Sequence, residues 1–296
     1  MAPLITIPRL RQSFKYRVFY GYCNLLKEIK VRTLPSVQWH SVDFQLPRFA
    51  TITRTNDIPL LIYSLSTLIR YLDYIPPLWL VADSDDAYAA LCSGFDHIPQ
   101  GVDIIHWETL LSELDQNYQK FIRCWQQSGK WGGYSKKFTV TLAASLRSDL
   151  LFFDTDVLWF GNFTKSLLSL LKSSSSIIVG EDCKRSYDPA VAEFLGEPRI
   201  MSQSPLNCGV VYYPKQSLLQ ELNQELLLSL LPFAKQATTH FEQTLIAYAF
   251  WKQNGDWFPS EVLATTLDDN FSIRRKTHSL VRHYAGAKHL FWRDAY

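Results

Sequence analysis

Two aspartates stand one residue apart at the end of a wholly apolar run in this 296-residue chain. Asp154 and Asp156 lie within residues 151–160, LFFDTDVLWF. An ionised carboxylate is expensive to remove from water, and a second one nearby raises the cost unless a metal or a proton compensates. Residues 150–153 are typical of a buried strand, and open α/β sheets bind ligands beyond the carboxyl ends of such strands. The pattern favours a hard divalent cation held together with ligand phosphates. In the alternative interpretation, Asp154 caps the turn and Asp156 is solvated.

The composition is that of a densely packed globular protein. Hydrophobic residues make up 47% of the chain, aromatic residues 14% and charged residues only 20%, which argues against disorder. The length allows one large α/β domain, or a domain with a smaller lobe. The net charge of +2 argues against a general nucleic-acid binder.

The cysteines and the first residues bear on the compartment. Five cysteines without a CxxC or Cys/His metal spacing favour reduced thiols in a cytosolic protein over a disulfide framework. Pro3, Pro8 and Arg9 interrupt the start of the chain, and no window approaches the ~20 apolar residues that span a bilayer. We therefore expect a cytoplasmic protein, either free or peripheral on the inner face of the membrane.

The first forty residues are basic and aromatic. A single acid, Glu28, faces seven cations, and aromatic residues alternate with them; the cations are Arg9, Arg11, Lys15, Arg17, Lys27, Lys30 and Arg32. This composition predicts a surface helix that touches anionic lipid. In the alternative, the helix packs on the main domain and keeps its charges in water.

The first third of the domain reads as a βαβ unit. FATIT (residues 49–53) and LWLVA (residues 78–82) are typical of buried strands, and between them an apolar helical face ends before two prolines. We expect one long helix over residues 107–127, a glycine-rich break, and a further helix from Ser135 into the strand at residues 150–153. This order is the usual opening of a nucleotide-binding sheet.

A second lobe is predicted after Phe160. It would contain a serine loop at residues 173–176, strands at 177–179 and 208–213, and helices at 216–231 and 239–252. Asn207 opens the second of these strands in NCGVV, where Gly209 would let the backbone approach a ligand closely. A simple turn before an edge strand explains the same residues.

Six more polar residues, in three stretches of the sequence, are candidates for the site. Glu242 and Gln243 stand at a helix start, where capping is the plain alternative. Lys136 and Lys137 precede the helix that feeds the aspartate strand, where the alternative is solvation. In HYAGAK, His283 is a candidate metal ligand and Lys288 a candidate diphosphate contact, whereas a histidine near a chain end is commonly an ordinary surface residue.

The order of these motifs resembles that of the metal-dependent A-type glycosyltransferases over residues 48–292. The resemblance implies an α/β fold with a single A-type domain, a Rossmann-like mixed sheet flanked by helices, and an N-terminal helical extension. The extension would cover residues 1–46 and the domain residues 47–296, with a nucleotide half (47–160) and an acceptor half (161–296). Two departures from the family pattern stand out: Lys288 follows Gly286 by two residues instead of three, and Glu242 replaces an aspartate.

The resemblance also implies roles for the candidate residues. Asp154, Asp156 and His283 would hold Mn²⁺ or Mg²⁺, and a UDP-sugar would be the donor in hexosyl transfer to a glycan, lipid or protein. The Gln243 pattern favours retention of the anomeric configuration. The remaining candidates divide into nucleoside contacts (Thr51, Thr53, Arg54), diphosphate contacts (Lys136, Lys137, Lys288) and groups facing the sugar or acceptor (Asn207, Glu242, Gln243).

Three other functions remain open at this point. A haloacid-dehalogenase-type phosphatase also carries an Asp-x-Asp after an apolar strand, and Asp268 with Asp269 would supply its distal acidic pair. A protein of the same fold that only binds a nucleotide or a carbohydrate would keep the same ligands without turnover. A membrane scaffold would rely on the basic N-terminal segment.

Overall fold

The chain folds into a mixed α/β structure, seen in a computed structural model that describes residues 14–95, 97–266 and 278–295. Its strands are β1 (Arg48–Thr53), β2 (Leu78–Ala82), β3 (Val102–His106), β4 (Leu150–Phe153), β5 (Val157–Trp159), β6 (Ile178–Glu181), β7 (Leu206–Tyr213), β8 (Asp256–Trp257), β9 (Leu263–Thr265) and β10 (Val281–His283). Its helices are α1 (Phe14–Arg32), α2 (Ile58–Arg70), α3 (Asp85–Gly94), α4 (Trp107–Ser112), α5 (Gln116–Gln126), α6 (Tyr134–Arg147), α7 (Phe163–Leu171), α8 (Pro189–Leu195), α9 (Arg199–Ser202), α10 (Ser217–Glu221), α11 (Gln224–Ser229), α12 (Leu231–Ala234), α13 (Phe241–Lys252) and α14 (Lys288–Asp294).

Seven strands form the central sheet in the order β3-β2-β1-β4-β7-β6-β8. The strands β3, β2, β1 and β4 run parallel, whereas β7 is antiparallel to both of its neighbours, β4 and β6. Every residue of β2 and β4 is buried, as expected for strands that helices cover on both faces. The mixed sheet and the βαβ opening predicted from the sequence are confirmed.

A smaller sheet of three strands, in the order β5-β10-β9, extends the fold beyond the end of β4. The strand β10 pairs antiparallel with β5, which sets His283 opposite Val157. Residues 156 and 283 are thereby neighbours in space although 127 positions separate them in the chain. This small sheet positions the site.

The N-terminal segment contains the expected helix, and that helix packs on the domain. In α1, Phe19 and Cys23 are buried against Leu290 and Phe291 of α14. None of the helices in the described part of the chain combines the length and apolar content of a bilayer-spanning segment. The domain boundaries assigned from the sequence stay predictions.

Several predicted elements differ from the observed ones. The single helix over 107–127 is wrong: α4 ends at Ser112 and α5 begins at Gln116, so that Trp107 and Trp125 both reach the core. The helix over 216–231 is three short helices, because the Asn223 side chain accepts a hydrogen bond from the Leu226 N–H and caps a new helix. The strand β6 begins one residue later than predicted and β7 two residues earlier.

The strands predicted for a second lobe after Phe160 do not form a sheet of their own. The strands β6, β7 and β8 belong to the central sheet, and β7 pairs directly with β4 from Leu150 to Phe153. The strands of the nucleotide half and of the acceptor half therefore share one sheet. Residues from both halves meet where β4 and β7 lie side by side.

Candidate metal and donor site

The turn between β4 and β5 carries both aspartates. The Asp154 N–H donates to the Gly209 carbonyl over 2.8 Å, which attaches the turn to β7. On the other side, the Tyr284 N–H donates to the Asp156 carbonyl over 3.0 Å, directly after the β5–β10 pairing. Backbone bonds therefore fix both carboxylates and bring His283 beside them.

Asp154, Asp156 and His283 form a three-ligand cluster. One ligand atom from each lies within 4.8 Å of the other two. The His283 Nε2 atom is 3.3 Å from Asp156 Oδ1 and 3.6 Å from Asp154 Oδ2. Asp156 is only 8% exposed and His283 only 5%, so Asp156 is not a solvated turn residue and His283 is not a surface histidine.

Asn207 sets the orientation of the imidazole. The His283 Nδ1 atom is 2.7 Å from Asn207 Oδ1, and the same oxygen accepts the Gly209 N–H over 2.8 Å. An amide oxygen can only accept, so Nδ1 carries the proton and donates. The Nε2 lone pair of a neutral His283 is then left for a cation, the arrangement that metal-binding histidines show. Asn207 thus positions a candidate metal ligand through the imidazole.

Position 209 requires a glycine because the imidazole of His283 occupies the space that a side chain would need. A Cβ atom at this position would lie 2.2 Å from both Cε1 and Nδ1 of the imidazole. We expected glycine here to admit a ligand, or to form a turn before the strand. Instead, Gly209 lies inside β7, next to an irregularity in the β6–β7 register, and its missing side chain makes room for the histidine.

Lys137 is the buried cation of the site. Its Nζ atom lies 3.0 Å from Asp154 Oδ1 and 3.5 Å from Glu242 Oε1, and it donates to the Cys208 carbonyl over 3.0 Å. Burial alone lowers the pKa of Lys137, but the two carboxylates outweigh it and the net pKa is raised. Lys137 therefore stays charged and holds Asp154 and Glu242 together, instead of being solvated at a helix start.

The carboxylates of the site differ in their proton affinity. Burial raises the pKa of Glu242, Lys137 offsets part of this, and the resulting pKa is about 7. For Asp156, burial also raises the pKa, but the hydrogen bond and charge of His283 outweigh it and the net pKa is lowered. Burial lowers the pKa of His283, yet Asp156 and Asp154 bring it above its ordinary 6.5. His283 and Asp156 thus each favour the charged form of the other.

A cavity of about 670 Å³ lies on the nucleotide side of the cluster. It is lined by the ends of β1 and β2, by the loop before α6 and by the loop after β10, and includes Thr53, Arg54, Asp83, Trp131 and Lys288. Thr51 is fully buried within β1 and lies outside the residues that line this cavity. Of the three predicted nucleoside contacts, the structure places Thr53 and Arg54 at the cavity.

Asp57 pairs with a predicted nucleoside contact, Arg54, and with a predicted diphosphate contact, Lys288. Its Oδ2 atom lies 2.7 Å from Arg54 Nη2 and its Oδ1 atom 3.0 Å from Lys288 Nζ. The Lys288 Nζ atom is also 4.0 Å from Asp156 Oδ2, which connects it to the cluster. Lys136 instead donates to the Asp83 carbonyl over 2.6 Å. Asp57 directly precedes α2 but makes no side-chain cap there.

A second cavity, of about 410 Å³, lies on the acceptor side and also borders Asp154 and His283. Glu242, Gln243 and Asn207 line it, as does Asp182. Capping does not explain Glu242 and Gln243, because α13 begins without a side-chain cap and Glu242 pairs with Lys137. Gln243 Nε2 donates to the Leu206 carbonyl and to Asp182 Oδ2.

Sequence reasoning missed Asp182. Its Oδ2 atom accepts from Asn207 Nδ2 and from Gln243 Nε2, each over 3.3 Å, so it orients two of the predicted site residues. A signal for it exists: Asp182 follows the apolar run IIVG with only Glu181 between them, much as Asp154 follows LLFF. Tyr134, which lines both cavities, carried no comparable signal.

The cluster suits a divalent cation. Two carboxylates and one imidazole provide oxygen and nitrogen ligands, a set that Mn²⁺ accepts readily, while Mg²⁺ prefers oxygen alone. The Asn207 bond already orients the His283 Nε2 lone pair toward the carboxylates. The residues therefore fit the ion that the sequence predicted, with Mn²⁺ better matched than Mg²⁺.

Comparison with known proteins defines the fold. The sequence matches no family model and no curated protein. Among solved structures, the chain is similar to mouse xyloside xylosyltransferase 1, with 12% identity, a TM-score of 0.53, and coverage of 80% of this chain and 97% of that one. It is similar to the galactosyltransferase LgtC in complex with donor and acceptor sugar analogues, with 13% identity, a TM-score of 0.51, and coverage of 81% and 87%. The chain has the fold of the A-type glycosyltransferases.

Proposed function

We propose that this protein is a metal-dependent glycosyltransferase that moves a hexosyl group from a nucleoside-diphosphate sugar, a UDP-sugar, to an acceptor. The observation that carries the proposal is the Asp154, Asp156 and His283 cluster between two cavities, on a fold that the A-type glycosyltransferases share. A divalent ion bound there would act as a Lewis acid on the donor diphosphate as negative charge develops on the leaving group.

The residues of the nucleotide-side cavity suit a nucleoside diphosphate. Thr53 and Asp83 offer polar groups at the strand ends, and Trp131 offers an aromatic face. Arg54 and Lys288 bring positive charge, which pairs well with phosphate oxygens. Asp57 contacts both cations, so donor binding would exchange these carboxylate contacts for contacts with phosphate.

The acceptor-side cavity would hold the transferred sugar and the acceptor hydroxyl. Gln243 is held by Leu206 and Asp182, and Glu242 is held by Lys137. Such prearranged polar groups orient a sugar without having to reorganise during reaction. We propose transfer with retention, on the strength of Gln243 at this position, to a glycan, lipid or protein acceptor. The anomeric configuration of the product, read by NMR, tests this directly.

We also propose that the protein acts in the cytoplasm. The structure shows no disulfide between the five cysteines, and three of them are at least partly accessible. Accessible thiols persist in a reducing compartment, which supports the cytoplasm. The phosphatase alternative has no support from the fold comparison, and its Asp268 and Asp269 pair lies outside the described residues.

Donor turnover with and without metal tests the function. A panel of UDP-sugars is incubated with the protein in Mn²⁺ and in EDTA, and release of UDP is measured. We expect release only with Mn²⁺, and a loss of more than about a hundredfold in Asp156→Asn, because charge stabilisation at a leaving group is worth that much. Asp256→Asn, at an exposed aspartate on the edge strand β8, is the matched control and should be fully active.

Two outcomes would contradict the proposal. Equal UDP release in EDTA would exclude the metal site as the source of activity. Binding of UDP and Mn²⁺ without any turnover, across donors and simple sugar acceptors, would favour a binding protein of the same fold. Thermal stabilisation separates these cases, since a ligand at a hundred times its dissociation constant adds about 2.7 kcal/mol.

A further inference from the structure

The helix α1 carries an apolar stripe that faces solvent. Val18, Tyr22, Leu25 and Ile29 follow one another at intervals of four, three and four residues, which places them on one side of a helix. Their exposed fractions are 57%, 53%, 59% and 50%. Large apolar side chains lined up at half exposure or more indicate an interaction surface.

Another face of α1 fixes this helix to the domain. Phe19 and Cys23 are buried in one cluster with Leu290 and Phe291 of α14. The Lys30 ammonium donates to the Trp292 carbonyl over 2.7 Å. Turning the stripe inward would break this packing, so the stripe is a fixed part of the outer surface.

The helix that carries the stripe is positively charged. From Phe14 to Arg32 it holds five basic residues and a single acid, Glu28, and Arg32 is exposed one turn after Ile29. A basic helix with an apolar side is the pattern of segments that lie in the plane of an anionic bilayer. We propose that the stripe of Val18, Tyr22, Leu25 and Ile29 docks this protein on an anionic phospholipid surface.

A second copy of the chain fits the stripe less well. Stable protein interfaces bury roughly 800 Å² per partner and use about 20–30 residues on each side, whereas the stripe offers four. Pairing two such helices would also bring together two segments of like charge, which opposes association. Binding to an anionic lipid surface requires no residues beyond the stripe. The positive charge that opposes dimer formation attracts the helix to such a surface.

The position of α1 gives the docking a consequence for the site. On a side away from the stripe, α1 lines a cavity of about 530 Å³ through Tyr20, together with Gly286 and Lys288 of the loop after β10. That loop also borders the nucleotide-side cavity. A protein seated through α1 would hold its active-site loop close to the lipid surface. The docking itself goes beyond the proposed transferase activity and needs neither donor nor metal.

Vesicle binding of the full-length protein tests the inference. Co-sedimentation is measured with vesicles of phosphatidylcholine alone and with vesicles that also contain phosphatidylglycerol. We expect binding to the anionic vesicles only, weakened by added salt because the charges are exposed. In Leu25→Ser/Ile29→Ser, the partition coefficient should fall by about tenfold or more, since two apolar side chains no longer enter the interface.

The control variant carries two apolar-to-serine substitutions at exposed positions outside the stripe. Leu168 of α7 and Phe194 of α8 are also exposed, at 39% and 46%, and Leu168→Ser/Phe194→Ser should bind anionic vesicles like the wild type. Thermal unfolding of both double variants confirms that they are folded. Wild-type protein that stays in the supernatant, or a stripe variant that binds as tightly as the control, would overturn the inference. So would a wild-type dimer that the stripe variant converts to a monomer, because the stripe would then bind a second copy.

Discussion

Replacing Gly209 by alanine should weaken metal binding without changing any of the three candidate ligands. The added Cβ atom would lie 2.2 Å from Cε1 and Nδ1 of His283, and 2.5 Å from Cγ. The whole imidazole is in the way, not the tip of a flexible chain. Ordinary contact begins at 3.4 Å, so the ring must move by about 1.2 Å, while metal–ligand distances tolerate only about ±0.2 Å.

The expected loss follows from this displacement. Disturbing the group that orients a metal-bound histidine typically costs about 10–100-fold in affinity, which corresponds to about 1.4–2.7 kcal/mol. The displacement also strains the site, so a stability cost of about 1–3 kcal/mol is expected for the folded protein. Titration calorimetry with Mn²⁺ measures the first effect, and urea unfolding without metal measures the second.

Two further variants isolate the cause. In Gly180→Ala, on the neighbouring strand β6, the added Cβ would meet the Leu263 side chain at 2.6 Å, and a leucine methyl group can move aside. This variant should keep its Mn²⁺ affinity. In His283→Ala, the clash partner is absent, so adding Gly209→Ala should cause no further loss of affinity. Wild-type Mn²⁺ affinity in Gly209→Ala, or an additive loss in the double variant, would refute the reasoning.

Three more predictions concern the same cluster. Asn207→Ala should weaken Mn²⁺ binding by about 10–100-fold, because Asn207 orients His283; calorimetry checks this, and unchanged affinity would contradict it. Mn²⁺ affinity of the wild type should fall as the pH falls through the raised pKa of His283, which lies above 6.5. The metal must displace the imidazole proton, so the fall is about tenfold per pH unit, and a flat profile from pH 8 to pH 5 would exclude His283 as a ligand. Lys137→Met should lower the free energy of unfolding, measured in urea, by about 3–5 kcal/mol. The reason is that the substitution leaves the carboxylates of Asp154 and Glu242 without their cation. A loss under about 1 kcal/mol would show that Lys137 does not form a buried ionic contact with them.

Local patterns were enough for the central strands and for the site's first two ligands. Apolar runs of four to five residues predict buried strands because only such strands can be covered on both faces. Asp154 and Asp156 closely follow one of these runs. The strand pattern and the candidate metal ligands are therefore visible in the same stretch of sequence. The helix boundaries near Ser112 and Asn223 were missed, since side-chain caps and core packing, not periodicity, decide where those helices end.

The pairing of distant residues was decided by the tertiary structure alone. His283 meets Asp156 through the β5–β10 pairing, and motif order suggested that meeting without giving its geometry. Gly209 is an example of a role that the sequence does not reveal. Its sequence context is compatible with a turn or a ligand contact, but in the fold it makes room for the imidazole of a residue 74 positions away in the chain.

For the charged residues of the site, the sequence shows which groups are present, and the tertiary structure decides which of them are in contact. The residue types of Lys137, Lys288, Asp57 and Asp182 are plain in the sequence, but their partners depend on which elements pack together. Lys137 meets Asp154 and Glu242 because α6 packs on β4 while α13 packs on β7 and on α6, and Asp57 pairs with both Arg54 and Lys288. Thus the sequence by itself indicated the strand core, the A-type order of motifs and the two aspartates of the candidate metal cluster. Only the tertiary structure decided which charges meet, because Coulomb energies and hydrogen bonds depend on distances that long-range packing sets.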